Sequence, residues 1–155
     1  ILELVKNRVK TCSVDDVSTL YTEDTLGVVS LHARAKVLNN IVYKRDMTNN
    51  VPTIRLRSTM NRKKNGEVCV ANGELLTIPR KDVQLSRIFM DRTSATQTAP
   101  SGTMYELGYF NTCDAVQGMT HRGRLIIDTV GAHRENLLYT ALTRATDLDN
   151  VYLII

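Results

Sequence analysis

Nothing in this 155-residue sequence approaches the roughly 18 consecutive apolar residues that cross a bilayer, and no apolar core with a small-residue cleavage site stands at its start. Membrane insertion and secretion are therefore not expected, and an intracellular setting is. Cysteine is scarce: Cys12, Cys69 and Cys113 are odd in number and far apart, which fits neither a disulfide framework nor the short paired spacings of a zinc site. Three reduced thiols are expected. His32, His121 and His133 show no pairing at metal-ligand spacing, so no metal site is expected from them. Low-complexity runs and internal repeats are also missing, which argues against a disordered, fibrous or solenoid chain.

What is present is an ordinary globular composition, 43% apolar and 23% charged, within the usual size of one domain. The net charge of +4 and pI near 9.1 are compatible with an anionic partner. The basic residues are partly clustered, at Arg55, Arg57, Arg62, Lys63 and Lys64 and again at Arg122 and Arg124. A charge this small raises the expectation of nucleic-acid binding only slightly.

Along the chain, Ile1, Leu2, Leu4, Val5 and Val9 have helical spacing, and Ser13 with Asp15 and Asp16 suits the start of a second helical segment. Leu26 to Leu31 is a short apolar run like a buried parallel strand. Ala33, Val37, Leu38 and Ile41 then predict a helix over 33–43. The middle changes character. Thr53 to Arg57 alternates with period two, and Asn72-Gly73 between Glu67–Val70 and Leu75–Ile78 predicts a hairpin of those two strands. With Val83 to Met90 these segments predict a small antiparallel β insertion at about 50–103, left through a Ser/Thr/Pro-rich loop over 93–102. The last third predicts strands near 107–112, 125–127 and 151–155 and a helix from about 134 to 145. The whole is thus an α/β fold with a mostly parallel sheet flanked by helices.

Two segments carry chemistry. In Leu137-Leu138-Tyr139-Thr140-Ala141-Leu142-Thr143-Arg144-Ala145 the apolar residues share one broad helical face. Arg144, seven residues after Leu137, lies about 20° from that residue, at the margin of the buried stripe. A guanidinium held there can reach a phosphate across an interdomain cleft and meet charge developing on a transferred phosphoryl group; a plain helix-surface arginine is the alternative. Upstream, in Thr112-Cys113-Asp114-Ala115-Val116-Gln117-Gly118-Met119-Thr120, Gly118 lets the backbone pass close to a ligand and Gln117 offers a donor and an acceptor.

The stretch from Leu137 to Ile154 resembles the last conserved motif of superfamily 1 helicases, an aromatic and a small residue before Ala-Leu-[Ser/Thr]-Arg-Ala and a strand. The segment from Thr112 to Thr120, with the strand ending in Asp128, resembles the motif before it. Gln117 stands 26 residues ahead of Thr143. Val28 to Arg34, running into Leu38-Asn39-Asn40, resembles the strand-then-helix motif that opens the second motor domain. Val70-Ala71-Asn72-Gly73-Glu74 resembles the hairpin of the SH3-like β insertion found in the RecD and Dda branch. The resemblance covers most of the chain from Leu26 onward; its last two motifs are specific and its first is weak. It implies a RecA-like fold, with Arg144 as an arginine finger and Gln117, Gly118 and Arg144 at the nucleotide. It further implies that His32, Arg34 and Thr112 lie along the nucleic-acid strand, and the basic Arg62-Lys63-Lys64 loop is expected to add phosphate contacts. One departure stands out: Asp114-Ala115 replaces the His-Lys that many members of the branch carry ahead of Gln-Gly, so no lysine contact is carried over.

A Gly-x₄-Gly-Lys-[Ser/Thr] phosphate loop is missing. Gly118 and Gly123 have the spacing, but Arg124-Leu125 follows them, and no apolar strand ending in Asp-Glu precedes these motifs. The chain as given is therefore not expected to hydrolyse ATP alone. The expectation is the C-terminal motor domain of an ATP-dependent DNA helicase or translocase, as in DNA replication, acting on single-stranded nucleic acid. ATP and Mg²⁺ would be bound with the N-terminal RecA-like domain of the same polypeptide, which would supply the Mg²⁺ ligands. The alternatives are an RNA helicase domain of a viral replication protein and a module that keeps the fold and binds nucleic acid without the motor.

Overall fold

A computed structural model describes residues 7–59, 61–83, 88–89, 105–131 and 135–155. The chain forms two compact units, one of Ile1–Val42 with Tyr109–Ile155 and one of Tyr43–Gly108. The second contains most of the stretch read as an insertion.

The first unit is built on five parallel strands: β1 (Lys10–Cys12), β2 (Leu26–Val29), β9 (Phe110–Thr112), β10 (Leu125–Asp128) and β11 (Val151–Ile154). Their order in the sheet is β1-β11-β10-β2-β9. All four residues of β2 and of β10 are buried, as expected of central parallel strands covered on both faces. Helix α1 is a single turn (Val17–Leu20), α2 runs from His32 to Thr48 and α3 from Glu135 to Leu142. This is the α/β order the sequence predicts. Among the described residues no helix is long and apolar enough to cross a membrane.

Two boundaries differ from the sequence reading. Residues 1–6 of the expected first helix lie outside the described residues, but Lys10–Cys12 is an edge strand pairing with β11, with Lys10 opposite Tyr152. Three residues, two of them exposed, carry too little pattern to be read as a strand. Past it, the backbone N–H and the hydroxyl of Ser13 both donate to the Asp16 carboxylate, at 2.9 and 3.1 Å. They start the short 3₁₀ turn (Val14–Asp16) that feeds α1. The single strand expected near 107–112 is two strands in two different sheets, β8 (Tyr105–Leu107) and β9. The chain changes sheets at Gly108 and Tyr109: the Gly108 N–H donates to Arg55 O and the Tyr109 carbonyl accepts from the Gly27 N–H, each at 3.0 Å.

In the second unit β3 (Thr53–Ser58) is central, antiparallel to β6 (Leu75–Pro79) on one side and to β8 on the other; β7 (Ile88–Phe89) lies parallel to β8. Ile54, Leu56 and Ser58 are buried, while Arg55 and Arg57 alternate outward and Arg57 pairs with Glu106 across the ladder. The expected hairpin at Asn72-Gly73 does not form. β5 (Glu67–Val70) pairs instead with β4 (Arg62–Lys64) around Asn65-Gly66, and β6 pairs with β3. Asn65 and Gly66 both have positive φ, 54° and 80°, as a two-residue type I′ hairpin needs. At the second Asn-Gly only Gly73 does, and the Glu74 N–H donates back to Ala71 O, a turn that turns the chain away from β5. The loop expected over 93–102 lies outside the described residues.

Candidate functional site

Arg144 is two residues beyond the end of α3, in the turn that closes the helix, and not on the helix as its spacing suggested. The last turn tightens there: the Arg144 N–H donates to Ala141 O at 3.1 Å and the Ala145 N–H to Leu142 O at 3.2 Å. Leu138 and Ala141 are buried and anchor the helix, and the guanidinium turns back toward the 112–119 segment. Its Nη1 donates to Val116 O across a long 3.5 Å and its Nη2 to the Thr143 hydroxyl at 3.0 Å. Nε is buried and has no hydrogen-bond partner among the described residues. The guanidinium is thus only partly tied by the described residues.

The 112–119 segment is a succession of tight turns. Thr112 O accepts from the N–H groups of Ala115 and Val116, at 3.0 and 3.3 Å. Gln117 N–H donates to Asp114 O and Met119 N–H to Val116 O. Val116 is buried and fixes the segment, whereas Gln117 and Gly118 are exposed, Gly118 with φ of 83°. Through the Val116 carbonyl, the two motifs legible in the sequence become neighbours.

A second group gathers where β2 and β9 end, the side on which parallel sheets present ligand sites. Thr112 lies opposite Val29 in the ladder, and His32 opens α2 just after β2. Thr112 Oγ1 accepts from the Ala115 N–H at 3.4 Å. His32 is exposed. Arg34 is committed elsewhere: its Nε and Nη2 donate to the Asp128 carboxylate at 2.8 and 3.1 Å. Asp128 ends β10 with 0% of its side chain exposed, while Arg34 keeps 23%. The carboxylate holds the guanidinium in its charged form, raising its pKa against the opposing effect of burial. Nη1 takes no part in this pair. Arg62, Lys63 and Lys64 form β4 of the second unit.

Two residues escaped the sequence reading. Asp128 was noted only as the end of a strand. An acidic residue closing a fully apolar strand is the available signal, because a buried carboxylate requires a partner. His121 shows no metal-ligand spacing in the sequence, but its backbone N–H donates to Arg144 O at 2.7 Å and it forms an isolated parallel bridge with Ala145. Arg124, part of the second basic cluster, has a structural place. Its guanidinium lies 5.1 Å from the centre of the Tyr152 ring and its Nη1 donates to Leu20 O. Cys12 is no reactive thiol: burial, and then Asp16, push its pKa up to about 11.

No protein-family model and no curated protein matches this chain.

Proposed function

We propose that this chain is the second, C-terminal RecA-like motor domain of a superfamily 1 helicase or translocase working on single-stranded DNA. The observation that carries the reading is the approach of Arg144 to Val116, next to the Gln117-Gly118 turn, with its guanidinium only partly tied among the described residues, on a unit built around a parallel five-stranded sheet. In this reading Arg144 is the arginine finger, and Gln117 and Gly118 face the nucleotide. A planar fork of donors next to an exposed turn suits the triphosphate of ATP, whose γ-phosphoryl charge spreads over several oxygens as it transfers. ATP, when bound, supplies the free energy for movement along the strand. The sequence carries no Gly-x₄-Gly-Lys-[Ser/Thr] string, and the reading assigns the phosphate loop and the Mg²⁺ ligands to the N-terminal RecA-like domain of the same polypeptide.

The strand would pass the ends of β2 and β9, meeting His32, Thr112 and Arg34; Arg62, Lys63 and Lys64 of the second unit are proposed as further phosphate contacts. Contacts of this kind go to phosphates and read no sequence. The test is steady-state ATPase of the full-length protein with unstructured oligonucleotides of either sugar. Stimulation by DNA above that by RNA is expected. Stronger stimulation by RNA would overturn the DNA assignment in favour of an RNA helicase. A full-length protein with no strand-stimulated turnover would overturn the motor reading in favour of a nucleic-acid-binding module.

A further inference from the structure

Arg144 poses a positioning problem. It lies past the end of α3, its Nη1 contact to Val116 is long, and its Nη2 contact goes to the adjacent Thr143. Side-chain contacts of this kind fix a guanidinium poorly, so its location depends on where the main chain of residues 143–145 is held. On its carbonyl side that main chain is held, among the described residues, by His121, through the 2.7 Å bond from its backbone N–H to Arg144 O and the parallel bridge to Ala145.

His121 lies in a connection, between the 112–119 turns and β10, with no helix to hold it. Its imidazole does that work. Nε2 lies 2.6 Å from the carbonyl oxygen of Asp24, and because a carbonyl only accepts, Nε2 carries the proton and donates. The acceptor is itself firmly placed. Thr22 N–H donates to Thr25 Oγ1 at 2.9 Å, Thr25 N–H donates to Thr22 O at 3.1 Å, and Thr25 is fully buried at the entry to β2. Gly123 completes the contact: a Cβ there would stand 2.2 Å from the Asp24 oxygen, so only glycine lets the connection pass so close.

The geometry points to His121 as the positioning residue for Arg144, its imidazole docking on the Asp24 carbonyl and its main chain holding the Arg144 carbonyl. This inference rests on the reading of Arg144 as an arginine finger. The catalytic contribution of a finger depends on its location at the transferring phosphoryl group, and a displacement of about 1 Å can cost roughly a hundredfold in rate. His121 touches no substrate in this arrangement. Its loss is therefore read in kcat rather than in ATP affinity.

The experiment compares strand-stimulated ATPase of the full-length protein with its His121→Ala, His121→Asn, His121→Gln and Arg144→Ala variants, alongside their melting temperatures. His121→Ala is expected to lower kcat by about 10- to 100-fold with KM for ATP within about twofold of the parent. His121→Gln, whose amide nitrogen can occupy the place of Nε2, is expected to return kcat to within a few-fold. If His121→Ala fails to fold, His121→Asn is read instead: its amide reaches only as far as Nδ1, and the same split of low kcat and unchanged KM is expected. A folded His121→Ala or His121→Asn with parental kcat, beside an inactive Arg144→Ala, would overturn the positioning role and leave the finger standing. An active Arg144→Ala would remove both.

Discussion

Asp128 and Arg34 show how one residue's environment decides its role. The carboxylate is wholly buried and takes both its hydrogen bonds from a guanidinium that still reaches solvent. Breaking the pair from either side should therefore cost different amounts. Arg34→Met strands a buried charge, for which about 3–5 kcal/mol is typical; Arg34 being partly exposed points to the lower end. Asp128→Asn leaves a guanidinium that can turn to water and an amide that can still accept, and is expected to cost clearly less. Urea denaturation of the two variants checks this; equal losses, or a larger loss in Asp128→Asn, would contradict the assignment of Arg34 as chiefly a structural partner. The residues flanking the triphosphate in the proposed reading were legible because Gln117-Gly118 and Thr143-Arg144-Ala145 are local strings. The partners of Arg34 and Arg144 were not, because Asp128 lies 94 positions from Arg34 and the His121 contact is made by main-chain atoms that any residue carries.

At the scale of elements, periodicity found the central strands and both long helices but misplaced what depends on competition between partners. Two Asn-Gly-Glu strings occur, at 65–67 and 72–74, with equal local claim to a hairpin. The longer five-residue ladder between β3 and β6 takes the strand after the second string, so the first makes the hairpin. The helical spacing past Leu142 likewise ran on to Ala145, where the bridge to His121 holds the backbone out of the helix. Asn39 is the element-scale counterpart of these long-range choices. From α2 its Nδ2 donates to Phe110 O at 3.1 Å and its Oδ1 accepts from Phe110 N–H at 2.7 Å, so a side-chain amide completes the outer edge of β9 as a further strand would. Asn39→Leu keeps the size and removes both bonds. It is expected to destabilise the protein by roughly 1–3 kcal/mol for each backbone group left unpaired, and to speed hydrogen exchange at Phe110 more than at Ile126. Unchanged exchange at Phe110 would contradict the role.

At the scale of the whole molecule, the proposed reading gives the chain a finger and part of a strand track, and the sequence has no Gly-x₄-Gly-Lys-[Ser/Thr] string, so in that reading its chemistry needs a further RecA-like domain. That is why the parallel sheet could be read from sequence more completely than the activity: burial periodicity is internal to the chain, whereas an arginine finger is defined by a phosphate that another domain binds. The most direct test of this account is the steady-state ATPase of full-length Arg144→Ala, folded and saturated with single-stranded DNA. Turnover about 10³- to 10⁵-fold below the parent is expected, with nucleotide and strand affinity largely kept and no rescue by Arg144→Lys, which retains charge but loses the planar fork. Activity within a few-fold of the parent in the alanine variant would contradict the assignment of Arg144 and, with it, the motor reading of this chain.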